Sequence, residues 1–359
     1  MIETHIVNAA LFPAIKQEIP YKILVFFNGL VAPTFLFCAG LAFAISFRRK
    51  WEDFTGGTST AGKYILRLLF ILITAYSLHL PFFSLTKMLA LTDPQAWVSF
   101  FQVDILQTIS VTLLFLTLLI VITRAQRVFI GFALILDLLV IFLAPIIREM
   151  DLSGLPIWFR PYLTLQVKSQ FPLFPWSGFL ITGMLLGSWF VSANEQGKVA
   201  RYMHRLAMCA AGSIALALLV ENLPLAIYPH HDFWRASPEF FFIRAGMVVL
   251  LMYSLWWLEQ RKQEPRASLL APFGQESLLV YVVHLLIVYG YTFEFSFVRL
   301  FGPTLNYAEC FGLFAGLSLA MYVMAYAWHW IKGWNKRCAL AIQYVTVAAV
   351  ILTFLLKQY

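Results

Sequence analysis

The fold class predicted by this sequence is all-α: a polytopic bundle of transmembrane helices. Three observations predict it. Apolar runs of about 19 to 26 residues follow one another along the whole chain, each long enough to cross about 30 Å of hydrocarbon as a helix. Hydrophobic residues make up 61% of the sequence, charged residues only 12%, and the mean hydropathy is +0.77. A soluble surface requires about a quarter charged residues, whereas a lipid-facing helix requires none. The connections between runs also alternate in charge from one end of the sequence to the other.

The expected spans are 22–47, 64–83, 98–123, 128–147, 173–193, 206–228, 239–258, 273–295, 309–331 and 338–356, about ten in all. No polar linker or low-complexity stretch interrupts them, so residues 1–359 are expected to form one membrane domain. The opening Met1-Ile2-Glu3-Thr4-His5 has no basic stretch before its short apolar run and does not read as a signal peptide. Too short to span, it is expected to be the tail of a truncated first helix.

One set of connections is basic: Arg48, Arg49 and Lys50; Arg124 and Arg127; Lys198, Arg201 and Arg205; Arg261, Lys262 and Arg266; Lys332, Lys336 and Arg337. The other set is longer and rich in Pro and Trp. By the positive-inside rule the basic set is cytoplasmic, which puts His5 and Tyr359 outside and makes the chain a multi-pass protein of the inner (plasma) membrane. The same rule accounts for the net charge of +8, so no nucleic acid is needed as a partner. Membrane lipid is the expected surroundings, and a second copy of the chain is carried as a candidate partner. Trp97, Trp158, Trp176 and Trp234 fall at the outer interface, and Trp51, Trp256, Trp257 and Trp334 at the inner one.

Four cysteines sit in or beside apolar runs without metal-ligand spacing and read as small core residues. Gly57 to Lys63 nearly spells a phosphate-binding loop, but Tyr64 stands where Ser or Thr is required and no strand precedes it. His230-His231-Asp232 lacks further ligands, and no metal is expected.

Polar groups inside lipid are costly and therefore informative. Gln102, Asp104 and Gln107 lie at the outer end of the third span, where a carboxylate can orient a base or simply meet solvent. His5 can act as a general base near neutral pH, or be an interfacial histidine. Phe171-Pro172-Leu173-Phe174-Pro175-Trp176 fixes a helix start, and Gly178, Gly183 and Gly187 permit close helix contact. Ser277, Tyr281 and His284 share a helix face, which either lines an interior cavity or simply carries a satisfied structural histidine. Lys63 and Arg67, one turn apart, either hold phosphate groups or snorkel.

In order along the chain, these segments resemble membrane-bound acyltransferases of the heparan-α-glucosaminide N-acetyltransferase type (the DUF1624 proteins), and more distantly the acyltransferase-3 and DUF418 families. The resemblance rests on Asn28-Gly29-Leu30-Val31-Ala32-Pro33 through Gly40, Val103-Asp104-Ile105-Leu106-Gln107, Phe171 to Gly187, and Gly274 to Leu285. Met1-Ile2-Glu3-Thr4-His5 fits the family's Met-x-x-x-His at the end of its first helix. The family's Asp-x-x-Arg-Gly stretch is missing. The histidine that lysosomal members carry before Asn-Gly-Leu is replaced by Leu24-Val25-Phe26-Phe27.

The resemblance implies acyl transfer, usually of acetyl, from cytosolic acetyl-CoA to an extracytoplasmic sugar hydroxyl or amine. His5 would then deprotonate the acceptor, Asp104 would orient or charge-balance it, and Asn28 would donate to the oxyanion. Lys63 and Arg67 would meet the donor's phosphates, with His284 and Tyr281 lining its path. The alternative is a transporter or flippase of a lipid-linked or small polar substrate, with Asp104, Asp137 and His284 as a relay or substrate site. It is disfavoured by the lack of repeated halves.

Overall fold

The computed structural model describes the chain except for residues 166, 224–227, 229–232, 262–267, 269, 291–294 and 358–359. His230, His231 and Asp232, and likewise Lys262, Arg266 and Tyr359, therefore lie outside the described residues. The expected all-α class is what forms. Among the described residues the sole β feature is an isolated bridge between Leu11 and Leu305.

Seven described helices are long and apolar enough to cross a membrane: Ile19–Arg49, Ile105–Thr123, Leu173–Glu195, Val199–Glu221, Pro238–Gln260, Tyr307–Trp334 and Lys336–Leu356. The other three expected spans fall on Ser59–Ser77, Gln126–Phe142 and Ser277–Tyr289. Lys63 and Arg67 interrupt the apolar run of the first. The second stops after 17 residues and is followed by Ala144–Glu149. The third has 13 residues, about 20 Å of helix, and ends at Gly290 in the left-handed conformation, φ +67°.

The described chain gathers into two compact units. One comprises Leu30–His79 and Trp97–Lys262. Its centre is the contact between Val31–Arg49 and Leu173–Glu195. Lipid tails are as apolar as leucine, so burial alone does not join two membrane helices; close backbone approach and hydrogen bonds do. The glycines provide that approach. A Cβ on Gly40 would overlap the Leu180 carbonyl, and one on Gly183 would overlap the Phe37 carbonyl. At Gly187 it would come within 2.9 Å of the Ala44 Cβ. The Leu173 helix bends at Phe174, whose ψ of 117° is extended. At the basic end, Phe43, Phe47, Phe54 and Phe129 are fully buried and pack ring on ring, with Phe47 and Phe129 centroids 5.2 Å apart. Arg124, at φ +50°, reverses the chain between Ile105–Thr123 and Gln126–Phe142.

The other unit comprises Met1–Gly29, Leu80–Ala96 and Gln263–Tyr359. Its core joins the two ends of the sequence. Ile2, Ile6, Val7, Ala10 and Leu11 pack with Val280, Val288, Leu317, Met321 and Ala325. Two backbone bonds fasten the join: Phe12 N–H donates to the Leu305 carbonyl and Leu305 N–H to the Ala10 carbonyl, both at 2.9 Å. The head of Ser277–Tyr289 is pinned by the buried Glu276 carboxylate, 2.5 Å from Lys332 Nζ and 3.4 Å from His329 Nδ1. The helix Lys336–Leu356 is exposed along nearly its whole length, as suits a lipid-facing span.

Candidate active site

In the larger unit the chemistry gathers where Ser59–Ser77 ends and Ile105–Thr123 begins. Thr58 caps the first of these, its hydroxyl accepting from Thr60 N–H. The helix gives way to a turn at Leu78-His79, and Leu80 is extended ahead of Pro81, a residue that cannot continue a helix. His79 is thereby left at the helix end. Its Nε2 lies 2.8 Å from Asp104 Oδ2, with only 8% of the histidine and 16% of the aspartate side chain accessible.

Asp104 is held from several sides. It is the extended residue capping Ile105–Thr123, and its N–H donates to Gln107 Oε1 at 3.1 Å. Gln107 Nε2 donates to the Gln102 carbonyl at 3.4 Å, and Gln102 Nε2 reaches Asp104 Oδ1 at 3.5 Å. The neighbouring Val103 carbonyl accepts from Gln170 N–H at 3.0 Å and Phe171 N–H at 3.2 Å, and the Thr108 hydroxyl donates to the Phe171 carbonyl. Two motif segments far apart in sequence thus form one structure. A carboxylate so fixed can set the orientation of an imidazole and balance its charge when it is protonated.

Beside this pair, the hydroxyls of Tyr76 and Tyr162 are 2.7 Å apart. Burial, with Tyr76 alongside, pushes the Tyr162 phenol above its usual range, so it remains a neutral hydroxyl. Arg148 donates twice to the Phe174 carbonyl, at 3.1 and 3.2 Å, and holds the bend that starts Leu173–Glu195. Within the apolar helices, Thr182 donates to Asp137 Oδ2 at 2.8 Å.

In the smaller unit, His5 Nδ1 lies 3.0 Å from the Tyr289 hydroxyl. Its ring centroid is 5.3 Å from that of His284, and Tyr281 lies 5.7 Å from His284. His284 is 1% exposed, with Nδ1 2.7 Å from the Val280 carbonyl. A carbonyl only accepts, so Nδ1 carries the proton and Nε2 presents a lone pair. Among the described residues that lone pair has no partner.

The expected residues thus fall into separate groups. Asp104 keeps company with Gln102 and Gln107, as the sequence suggests, but the imidazole on it is that of His79, which sequence reasoning did not single out. His5, Tyr281 and His284 come together, joined by the unanticipated Tyr289. Asn28 is half-buried at the last position of Ile19–Asn28. Lys63 and Arg67 are exposed, on the face that also exposes Leu66, Phe70 and Ile73. All four cysteines are free thiols. Among the described residues, no group of three His, Cys, Asp or Glu gathers in a way that could hold a metal ion.

Comparison with known proteins was made at the level of family models, curated proteins and solved structures. The family model described as heparan-alpha-glucosaminide N-acetyltransferase, catalytic, covers residues 1–231, which include His5, Asn28, His79 and Asp104. No curated protein and no solved structure matches the chain.

Proposed function

Because the chain belongs to the heparan-alpha-glucosaminide N-acetyltransferase catalytic family, we propose that it moves an acetyl group from cytosolic acetyl-CoA to a hydroxyl or amine of an extracytoplasmic sugar or glycan. The observation that carries this reading is the histidine–carboxylate pair of His79 and Asp104. Asp104 holds the ring through Nε2, and Nδ1 takes the proton from the acceptor. The acceptor nitrogen or oxygen attacks the thioester carbonyl and forms the new C–N or C–O bond. The tetrahedral intermediate then expels the thiolate, breaking the C–S bond, and the imidazolium returns its proton to sulfur. A positioned base of this kind contributes about 10²–10⁴ in rate.

A second assignment of the base rests on the smaller unit. His5 is tied to Tyr289 and stands beside His284, whose lone pair awaits a donor. Here His5 takes the proton, Tyr281 and His284 contact substrate, and Asn28 donates to the oxyanion.

Acetyl transfer from labelled acetyl-CoA to amino sugars in proteoliposomes tests both. The first assignment expects His79→Ala and Asp104→Asn to lose most of kcat and His5→Ala to retain it; the second expects the reverse. Full activity in all three variants removes both histidines. Absence of transfer by the wild-type protein to any sugar amine or hydroxyl rejects the proposed reaction.

A further inference from the structure

Within the larger unit, a cavity of about 460 Å³ opens at the basic end, lined by Arg48, Gln126, Arg127, Ile130 and Trp189. Arg48 stands near the end of Val31–Arg49, Gln126 and Arg127 open Gln126–Phe142, and Trp189 comes from Leu173–Glu195. The backbones bearing the two arginines are anchored. Arg48 follows Phe47, and Arg127 is two residues before Phe129; both phenylalanines are fully buried and pack edge to face.

The lining has two guanidinium groups, one amide, one indole and no carboxylate. Glu195 holds Arg48 from outside the lining at 2.8 Å, but its own side chain is 60% accessible, so solvent screens the pair. Arg127 has no ion-pair partner among the described residues. Two guanidinium forks match the oxygens of a phosphate ester, and an exposed indole offers a face on which a purine can stack.

The geometry points to this cavity as the seat of a phosphate-ester anion: the nucleotide end of the acyl donor, with Arg48 and Arg127 on its phosphates and Trp189 under its base. The assignment rests on the acetyl-CoA reading above and goes further, because it moves the phosphate contacts from Lys63 and Arg67 to a different set of residues. An anionic lipid headgroup carries the same phosphate chemistry, and the test separates the two.

Binding of coenzyme A and of adenosine 3′,5′-bisphosphate to the purified full-length protein is measured by calorimetry at two salt concentrations. Wild type is compared with Arg127→Gln, Arg48→Gln and the double variant Lys63→Gln/Arg67→Gln. Phosphatidylglycerol retention is followed in parallel by native mass spectrometry. Both single variants are expected to bind both probes at least tenfold more weakly, and with a shallower salt dependence, while the double variant binds as wild type does. Arg127 makes no ion pair among the described residues, so its variant remains informative should loss of the Glu195 contact unfold Arg48→Gln. Equal binding of coenzyme A by wild type and Arg127→Gln overturns the assignment and leaves the donor reading intact. Loss of phosphatidylglycerol with coenzyme A binding unchanged gives the cavity to lipid and also overturns it. A wild-type protein that binds neither probe and transfers no acetyl group from acetyl-CoA rejects the donor reading itself.

Discussion

His284 donates its Nδ1 proton to the carbonyl of Val280, one helical turn earlier and 2.7 Å away, which fixes the ring in a single tautomer with its Nε2 lone pair turned into the protein. In a helix interior a polar atom without a partner costs about 1–3 kcal/mol. The ring therefore contributes little to stability and is ready for a ligand that can donate. His284→Leu is expected to hold or raise the Tm in detergent, with a gain of up to about 1 kcal/mol, because it removes the orphan with little loss of packing. A clear drop in Tm would show that the lone pair is satisfied. In ¹⁵N-histidine spectra, His284 should show a protonated Nδ1 and a pyridine-type Nε2.

The pairing of His79 with Asp104 predicts strong non-additivity. Each of His79→Ala and Asp104→Asn should lower kcat by about 10² to 10⁴, and the double variant should be no worse than the more damaged single. Losses that multiply would mean that the two side chains act separately.

Close contact between Val31–Arg49 and Leu173–Glu195 predicts that Gly183→Val and Gly40→Val will not yield folded protein, since each drives a side chain into a backbone carbonyl. The cost exceeds the usual overpacking penalty of about 1–3 kcal/mol, because backbone has to move. Gly212→Ala, with nothing within 4 Å, is the matching control and should be stabilising by about 0.4–1 kcal/mol. Size-exclusion profiles and Tm of the three variants decide this.

The buried Glu276 with its partners Lys332 and His329 makes a further case. Lys332→Met alone leaves the carboxylate facing only His329 and should destabilise by about 3–5 kcal/mol if the buried charge is then uncompensated. Adding Glu276→Gln should recover most of the loss. A double variant as unstable as Lys332→Met alone would contradict the pairing.

Much of this was legible in the sequence. Helix positions followed from apolar run length, because hydrocarbon leaves a spanning backbone few alternatives to the helix. The glycine contacts followed from Gly178, Gly183 and Gly187 at near-helical spacing. Asp104 stood out as a carboxylate in an apolar context. Its partner did not, because no local pattern links His79 to a residue 25 positions later. One signal was available: His79 lies near the outer end of the expected span 64–83 and Asp104 near the outer end of the next, 98–123, and consecutive antiparallel helices put such ends together. Tyr289 was hidden by the length of its helix. The sequence suggested a span reaching residue 295, whereas Gly290 stops the helix and leaves Tyr289 at its last turn, against His5. Arg48 and Arg127 looked like topology signals, and only the fold placed them around one cavity.

The backbone bonds between Ala10–Phe12 and Leu305 bear on how the protein is made. The helix Ile2–Ala10 leaves the ribosome well before Leu305, to which the next turn is bonded, and before Ser277–Tyr289 and Tyr307–Trp334, which bury it. At about 5–20 residues per second, it waits on the order of 15 to 60 seconds for them. During that interval His5 lacks Tyr289 and His284, so biogenesis should depend on an insertase or chaperone that shelters the segment until those helices are made.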